Sequence, residues 1–286
     1  MRGPYGRMMY GVQGAKGAVA PMWLALGIVS RGSVEVPAGI EPLYSIGDND
    51  PVELSEGLTQ ANLALTIAAV EDFDFLQQVR RDDVTGELDW LSFKLGYHKG
   101  ADDLTVTVID AKLDTMTLRC EGGGRLNADF AAVGGKVSKT AVDPGAMSFF
   151  GSRAYRWFEL VWSETRELRS FELNIRNNLE VVPVIAGTAT VRDPERIWDY
   201  LDEGRSEISG TLDYFLSDPA LDLQDCLLTG ADYTLEFASC SDVSPVQVAT
   251  LTLNGLKQDG ETIEIPVDGQ IAVRTPFRCT DWSLTD

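Results

Sequence analysis

The chain has 286 residues, of which 44% are hydrophobic and 24% charged, a composition typical of a folded protein long enough for two domains. Its 44 acidic and 24 basic residues give a net charge of -20, which argues against specific binding of duplex DNA, because affinity for phosphates depends on clustered Lys and Arg. Salt adaptation of the host offers a second origin for this acidity.

Cysteine and histidine usage argues against a metal centre. The cysteines are widely spaced and form no C-x-x-C pair, and the chain has a single histidine, His98. We therefore expect reduced thiols at Cys120, Cys226, Cys240 and Cys279 and no bound cofactor. The first ten residues lack the apolar segment of a signal peptide, and no apolar run is long enough to span a membrane. The pattern predicts a soluble protein made in the cytoplasm.

The first half reads mainly as strands. Residues 1–19 contain five glycines without periodicity and are predicted to be a flexible N-terminal arm. Strands are then predicted at 23–28, 34–36, 63–67, 88–93, 104–109 and 115–120. Residues 71–81 change to helical spacing and predict one short helix. The glycine-rich stretch 131–145 is the predicted boundary between a first domain, 20–145, and a second, 146–286.

The clearest periodicity lies in residues 168–178. Phe171, Leu173 and Ile175 alternate with Glu172, Asn174 and Arg176, which is typical of a strand with one face in a core and the other in water. Two asparagines follow and predict a turn.

The second half repeats the first weakly at an offset of 147 residues. Without gaps, Leu173 falls on Leu26 and Leu212 on Leu65, and predicted strands fall on predicted strands. A second short helix is predicted from Asp218, an N-cap residue followed by Pro, to Gly230. The repeat predicts a tandem duplication of one β-domain, each copy with a flanking helix.

Catalytic patterns are not evident in the sequence. Triads would all depend on His98, which is predicted to lie in a solvated loop, and paired acids such as Asp72 and Asp74 occur where solvated carboxylates are normal. We expect a protein that is not an enzyme. On composition alone, a carbohydrate-binding module, a virion structural protein and a secreted adhesin all remain open.

Three stretches of the second half resemble the tail tube (major tail protein) family of long-tailed bacteriophages. They are 170–178 (Ser-Phe-Glu-Leu-Asn-Ile-Arg-Asn-Asn), 203–213, which leads into the second predicted helix, and 249–253 with its final hairpin. The first half departs from the family pattern, since its corresponding strand lacks the two asparagines. The resemblance implies a mainly β fold of two tandem tail-tube-like domains, each a small β-barrel or sandwich of two sheets with one flanking helix.

The resemblance also implies a function. Proteins of this family are virion components whose rings stack into a tube, and DNA passes through its lumen during ejection without specific binding. The expected partners are other copies of the chain and the tape measure, tail-tip and tail-terminator proteins, with assembly in the host cytoplasm, a final location in the virion tail and no membrane contact. A lumen poor in Lys and Arg would let DNA slide. Single-domain relatives close rings of six domains, so two domains per chain predict a trimeric ring with pseudo-sixfold symmetry; the alternative is a hexamer in which one half of each chain decorates the outside.

Candidate lumen-facing residues are the polar positions on the predicted strands. They are Thr117, Arg119, Glu172, Asn174, Arg176, Asp213 and Glu264. Alternation identifies the wet face but does not distinguish a lumen from an outer surface. The alternative function is a two-domain β-sandwich binding module, such as a virion decoration or carbohydrate-binding protein.

Overall fold

The computed structural model describes the chain in segments. These are residues 5–26, 28–36, 40–43, 53–56, 60–70, 73–99, 102–122, 124–142, 155–156, 167–182, 200–215, 232–239, 248–260, 262–264 and 271–285.

Strands dominate both halves. The first half contains β1 (Tyr5–Val12), β2 (Leu24–Ala25), β3 (Ile28–Glu35), β4 (Ile40–Leu43), β5 (Glu53–Glu56), β6 (Ala61–Ala69), α1 (Asp74–Gln77), β7 (Leu91–Lys99), β8 (Asp102–Glu121), β9 (Asn127–Gly134) and β10 (Lys136–Thr140). The second contains β11 (Tyr155–Arg156), β12 (Glu167–Arg176), β13 (Leu179–Val182), β14 (Tyr200–Glu203), β15 (Glu207–Phe215), β16 (Tyr233–Ser239), β17 (Val248–Asn254), β18 (Lys257–Gln258), β19 (Thr262–Glu264), β20 (Ala272–Arg278) and β21 (Asp281–Thr285).

The mainly β prediction is confirmed, whereas the barrel alternative is wrong: the sheets formed by the described strands stay open. The helix predicted over 71–81 is a single turn, α1, although the apolar side chains that predicted it, Phe75, Leu76 and Val79, are all buried. The second predicted helix lies outside the described residues.

One sheet of thirteen strands runs through both halves. Its main path is β18-β20-β15-β12-β8-β7-β1-β2, and β3, β6 and β9 extend it from the side of β8. The two halves meet where β12 pairs antiparallel with β8, from Ser170 opposite Glu121 to Arg176 opposite Thr115. We call this pairing the seam.

Strand β8 bends between two parts of this thirteen-stranded sheet. Its first part pairs with β7 and β10, and its second part pairs with β9 and β12. Between them lie Asp110, with a positive φ of 54°, and a register shift between Leu113 and Thr115. Such irregularities let a strand turn a corner from one sheet into another. The strands predicted separately at 104–109 and 115–120 are therefore one bent strand.

The core lies between two sheet layers in each half. In the first half the Phe75 ring packs 4.7 Å from Tyr10 of β1 and 4.7 Å from Phe130 of β9, measured between ring centroids. In the second half a four-stranded sheet, β11-β16-β17-β21, covers β12, β15 and β20, and Phe171 lies 5.5 Å from Phe237. Each buried large apolar side chain contributes roughly 1.5–3 kcal/mol, so these layers stabilise the fold.

The N-terminal arm differs from its prediction. Residues 5–12 form β1, which pairs with β7 along its whole length. Beyond this strand, the Gly17 N–H donates to the buried Asp110 carboxylate at 2.6 Å. Much of the arm predicted as flexible is thus tied into the first half.

The predicted boundary stretch 131–145 also contains regular structure. Its residues complete β9 and form β10, which pairs with β8. The predicted strand at 168–178 is confirmed as β12, and Asn178, with a φ of 53°, ends it in the left-handed region that Asn tolerates.

Candidate functional site: the polar face of the main sheet

One side of the main sheet faces away from the core across both halves. We call it the polar face: the outward side chains of β3, β6, β9, the second part of β8, β12, β15, β19 and β20. One row across it contains Arg31, Thr66, Asp129, Thr117, Asn174, Ser209 and Arg278. Period-2 alternation builds this face, because the neighbours Leu118, Phe171, Leu173, Ile175 and Leu212 are buried on the other side.

All seven predicted site residues lie on this face. Six of them are on the adjacent strands β8, β12 and β15, and Glu264 is opposite Ala272 on the far side of β20. Glu172 lies opposite Arg119, and Asn174 lies opposite Thr117. The sequence pattern therefore identified side chains that the sheet brings together from strands far apart in the chain.

Hydrogen bonds connect polar side chains across the seam. Thr117 Oγ1 donates to Asn174 Oδ1 at 2.7 Å, and Asn174 Nδ2 donates to Glu172 Oε1 at 2.8 Å. On the next pair of strands, Ser170 Oγ donates to Asp213 Oδ2 at 2.9 Å. These bonds fix the side chains to one another along the sheet.

The charge on the polar face is nearly balanced. Its arginines are Arg31, Arg119, Arg176, Arg274 and Arg278, and its carboxylates are Glu35, Glu121, Asp129, Glu172, Glu207, Asp213 and Glu264. Arg119 forms an ion pair with Asp129, and Arg274 Nε lies 3.8 Å from Asp213 Oδ1. Five arginines therefore lie on this face, and carboxylates neutralise part of their positive charge.

A cleft lies at one end of the polar face, between the end of β8 and the start of β20. Its volume is about 550 Å³, and its lining includes Glu121, Ser170, Asp213, Glu264 and Arg274. The Asp213 Oδ1 atom in it is buried without a hydrogen bond, although Arg274 is near. The described lining of the cleft has carboxylates, arginine and the Ser170 hydroxyl, but no histidine, cysteine or lysine.

Charged side chains bridge the two halves beside the seam. The Glu203 carboxylate of β14 forms an ion pair with Lys112 of β8, and Arg81 Nη1 donates to it at 2.8 Å. The Leu88 N–H donates to the same carboxylate at 3.1 Å, and the Lys112 ammonium lies 4.0 Å from the centre of the Trp90 ring. We call this group the Glu203 clamp. The sequence analysis missed it, because its members are far apart in the chain.

The hairpin β13–β14 that carries Glu203 also packs on the first half. Val181 and Leu201 form a small apolar cluster with Val133 of β9. The Leu179 N–H donates to Asp114 Oδ1 at 2.9 Å, and the buried Asn177 side chain donates to the Leu113 carbonyl at 3.0 Å. The contact between the halves is therefore a paired strand reinforced by a docked hairpin.

Among the described residues, three titratable groups have shifted pKa values, and none of these three lies on the polar face. Burial, and secondly the charge of Asp281, raise the pKa of the Cys279 thiol to about 12. Hydrogen bonds from the Thr85 and Val84 N–H groups lower the pKa of Asp82. A hydrogen bond to Asp281 raises the pKa of Arg80 despite partial burial.

His98, the histidine that any triad would need, is in β7 rather than in the predicted loop. Its backbone lies opposite Tyr5 and Asp103. In the part of the chain that the structure describes, no three His, Cys, Asp or Glu residues are grouped as metal ligands would be. Over the same residues, no helix has the length and apolarity needed to cross a membrane.

No protein-family model matches this chain, and no curated protein matches it. What the protein does must be inferred from its own strand pairing and polar face.

Proposed function

We propose that this protein is a structural subunit of a viral tail tube, in which chains form rings that stack around a DNA-conducting lumen. The seam carries the proposal. It joins the sheets of the two halves into one sheet with a single uninterrupted polar face, as domains joined edge to edge around a channel require. A ring closed by such contacts leaves no exposed strand edges.

Strand pairing supports two tandem copies of one domain. In the first half β1, β7, the first part of β8, and β10 lie side by side; in the second half β11, β16, β17 and β21 do so. Likewise β3-β6-β9-β8 in the first half corresponds to β12-β15-β20-β19 in the second, and each half has a separate hairpin, β4–β5 or β13–β14. These elements follow the same order along the chain in both halves.

Strand register refines the correspondence between the copies. The buried Leu65 of β6 and Leu212 of β15 occupy equivalent positions, as the offset of 147 predicts. In β3, however, Val34 lies opposite Leu63, and in β12 Leu173 lies opposite Gly210, the counterpart of Leu63. Leu173 therefore corresponds to Val34, and not to Leu26 as an ungapped comparison suggests. The difference arises between β4 and β5, because residues 44–52 are fewer than the matching 183–199.

We further propose three chains per ring. Each chain supplies two sheet units already joined at the seam, so three chains supply the six units of the single-domain relatives. The contact within a chain and the contact between chains are then separate interfaces, and their sequences can diverge. The alternative hexamer would use one half of each chain for the inner wall.

The polar face suits a lumen through which DNA slides. Strong binding of DNA requires basic side chains that are free to contact phosphates. On this face Asp129 pairs with Arg119, and Asp213 lies near Arg274. The lumen would remain polar and hydrated without holding the DNA. In this proposal the protein has no enzymatic role, and its partners are other copies, tape measure, tail-tip and tail-terminator proteins in the virion tail.

Electron microscopy of the purified protein, alone and with a tail initiator complex, tests this function. We expect hollow tubes whose rings have three chains and pseudo-sixfold symmetry. True sixfold symmetry with one chain per step would overturn the trimer, and a persistent monomer that binds a glycan would favour the alternative of a two-domain binding module.

A further inference from the structure

Three contacts at the seam and at the hairpin beside it can be followed residue by residue. Leu173 of β12 lies opposite Leu118 of β8. Next to this strand pair, Lys112 forms an ion pair with Glu203 of the hairpin β13–β14. Two residues further along β8, Asp114 accepts the N–H of Leu179 at the start of the same hairpin.

The positions of Lys112 and Asp114 on β8 recur in the second half, at the sheet edge formed by β18 and β19. In the strand register, Lys112 of β8 lies opposite Val133 of β9. Lys257 of β18 likewise lies opposite Arg278 of β20, and Arg278 occupies the position equivalent to Val133. Lys112-x-Asp114 therefore corresponds to Lys257-x-Asp259. Lys257 and Asp259 are both exposed, whereas Lys112 is 3% exposed beneath the hairpin.

The hairpin positions also recur, in the first half. In β13–β14, Leu179 lies opposite Glu203; in β4–β5, Ile40 lies opposite Glu56. Glu35 of β3, the counterpart of Asn174, precedes Ile40 by the same number of residues as Asn174 precedes Leu179. Glu56 is thus the counterpart of Glu203.

Among the described strands, β3 and β19 each pair on one side only, and apolar side chains are exposed at both of these free edges. Ile263 of β19 is 50% exposed, whereas its counterpart Leu118 is 0% exposed. Val36, which follows β3, is 46% exposed, whereas its counterpart Ile175 is 2% exposed. In the seam these positions are buried by the neighbouring unit, so each free edge has the surface of one half of a seam.

We propose that a second copy of this chain occupies these edges through a contact that repeats the seam. Strand β3 of one chain pairs antiparallel with β19 of the next, with Val34 opposite Ile263 and Ser33 opposite Glu264. The hairpin β4–β5 lies against the neighbour, with the Glu56 position of β5 next to Lys257 and the Ile40 N–H next to Asp259. This inference rests on the proposed ring and specifies its interface. Val133 forms an apolar cluster with the hairpin β13–β14 in the seam, but its counterpart at the free edge is Arg278. The contact between chains therefore repeats the charged contacts of the hairpin and lacks this apolar cluster.

Disulfide cross-linking tests the strand register. Ser33→Cys and Glu264→Cys in one chain place thiols on directly opposed residues, within the Cα separation that a disulfide spans. Under mild oxidation of assembled protein we expect a covalent ladder that ends at a closed trimer. In the control, Ser33→Cys with Ile263→Cys, the second thiol is on the opposite face of the sheet, and we expect at least tenfold less cross-linking. The single variant Ser33→Cys controls for disulfides that the introduced thiol could form with the native cysteines.

Charge exchange tests the hairpin contact. Glu56→Lys alone and Lys257→Glu alone place like charges together, and we expect each to reduce ring formation at least tenfold, while both together restore it. Size-exclusion chromatography and circular dichroism of the monomers verify that each variant folds. Failure of the double variant to assemble better than either single variant would overturn the contact.

The outcomes separate this interface from the proposed function. Tubes that form without the Ser33–Glu264 cross-link would overturn the interface and leave the tube function standing. Cross-linked closed trimers that never stack into tubes would support the interface and overturn the function.

Discussion

Leu173 of β12 lies directly opposite Leu118 of β8, and both side chains are fully buried at the seam between the two halves. The seam is therefore part of the core that stabilises the whole chain.

Truncation of Leu173 tests the stabilising role of the seam. Leu173→Ala removes buried methyl groups and leaves a cavity, and we expect a loss of about 2–5 kcal/mol in the free energy of unfolding. Urea denaturation followed by tryptophan fluorescence measures it. Thr211→Ala, on the polar face of the neighbouring β15, is the control and should cost about 0.5 kcal/mol or less. Equal losses in the two variants would contradict a buried seam.

The Glu203 clamp yields a second prediction. Glu203→Gln leaves Lys112, 3% exposed, without its carboxylate, and breaking a buried ion pair from one side costs about 3–5 kcal/mol. Asp202→Asn, on the exposed neighbour, is the matched control and should have little effect on the denaturation midpoint.

A double variant tests whether the unpaired charge of Lys112 causes the loss of stability. Lys112→Met combined with Glu203→Gln removes both charges, so we expect it to be more stable than Glu203→Gln alone. If the double variant is the less stable of the two, the unpaired lysine is not the cause of the loss.

Cys279 should be an unreactive thiol. Its pKa is raised to about 12, and each pKa unit lowers the thiolate fraction tenfold, so at pH 8 the folded protein should react with a thiol reagent about a thousandfold more slowly than a free thiol of pKa near 9. Mass spectrometry of iodoacetamide-labelled peptides, compared between folded and denatured protein, measures this ratio. Rapid labelling of Cys279 in the folded protein would contradict its burial.

The same shift predicts a loss of stability in alkali. A thiol ionises near pH 9 in the unfolded chain but near pH 12 in the folded one, so its stabilising contribution is complete below pH 9 and lost as the pH rises towards 12. The denaturation midpoint should fall less between pH 8 and pH 10.5 in Cys279→Ser than in the unmodified protein. Identical decreases would show that Cys279 is not responsible.

The sequence was informative where one face of a strand is buried and the other is wet. Phe171 and Leu173 alternate with polar residues, and this pattern alone identified β12 and its outward side chains. It failed at the bend of β8, because Asp110, Ala111, Lys112 and Leu113 are all buried and remove the alternation. The glycines before residue 20 suggested a flexible arm, yet Met9 and Tyr10 are buried in a paired strand.

Contacts between distant segments could not be predicted from local patterns. In the proposed duplication the ungapped repeat misplaces β3, because residues 183–199 before β14 are more numerous than residues 44–52 before β5. The Glu203 clamp left one detectable trace, the Lys-x-Asp spacing shared by Lys112 and Lys257, but its meaning depends on strand register. Alternation also does not distinguish a face that lines a lumen from an outer surface, because both are in contact with water.

Glu172→Lys tests whether the polar face lines a channel. The side chain lies opposite Arg119 at the seam, so the change would place two positive charges where DNA would pass. We expect tubes to assemble normally and DNA ejection from virions to slow several-fold at low salt. Because each added phosphate contact changes affinity by about 3.5-fold between 50 and 200 mM salt, the delay should shrink as salt rises.

Glu236→Lys is the matched control. Glu236 is on β16, between the buried Leu235 and Phe237, so it faces away from the core on the opposite side of the sandwich from the polar face. The same reversal of charge there should leave ejection kinetics unchanged. If Glu236→Lys slows ejection and Glu172→Lys does not, the polar face is the outer surface of the tube and the other sheet lines the lumen.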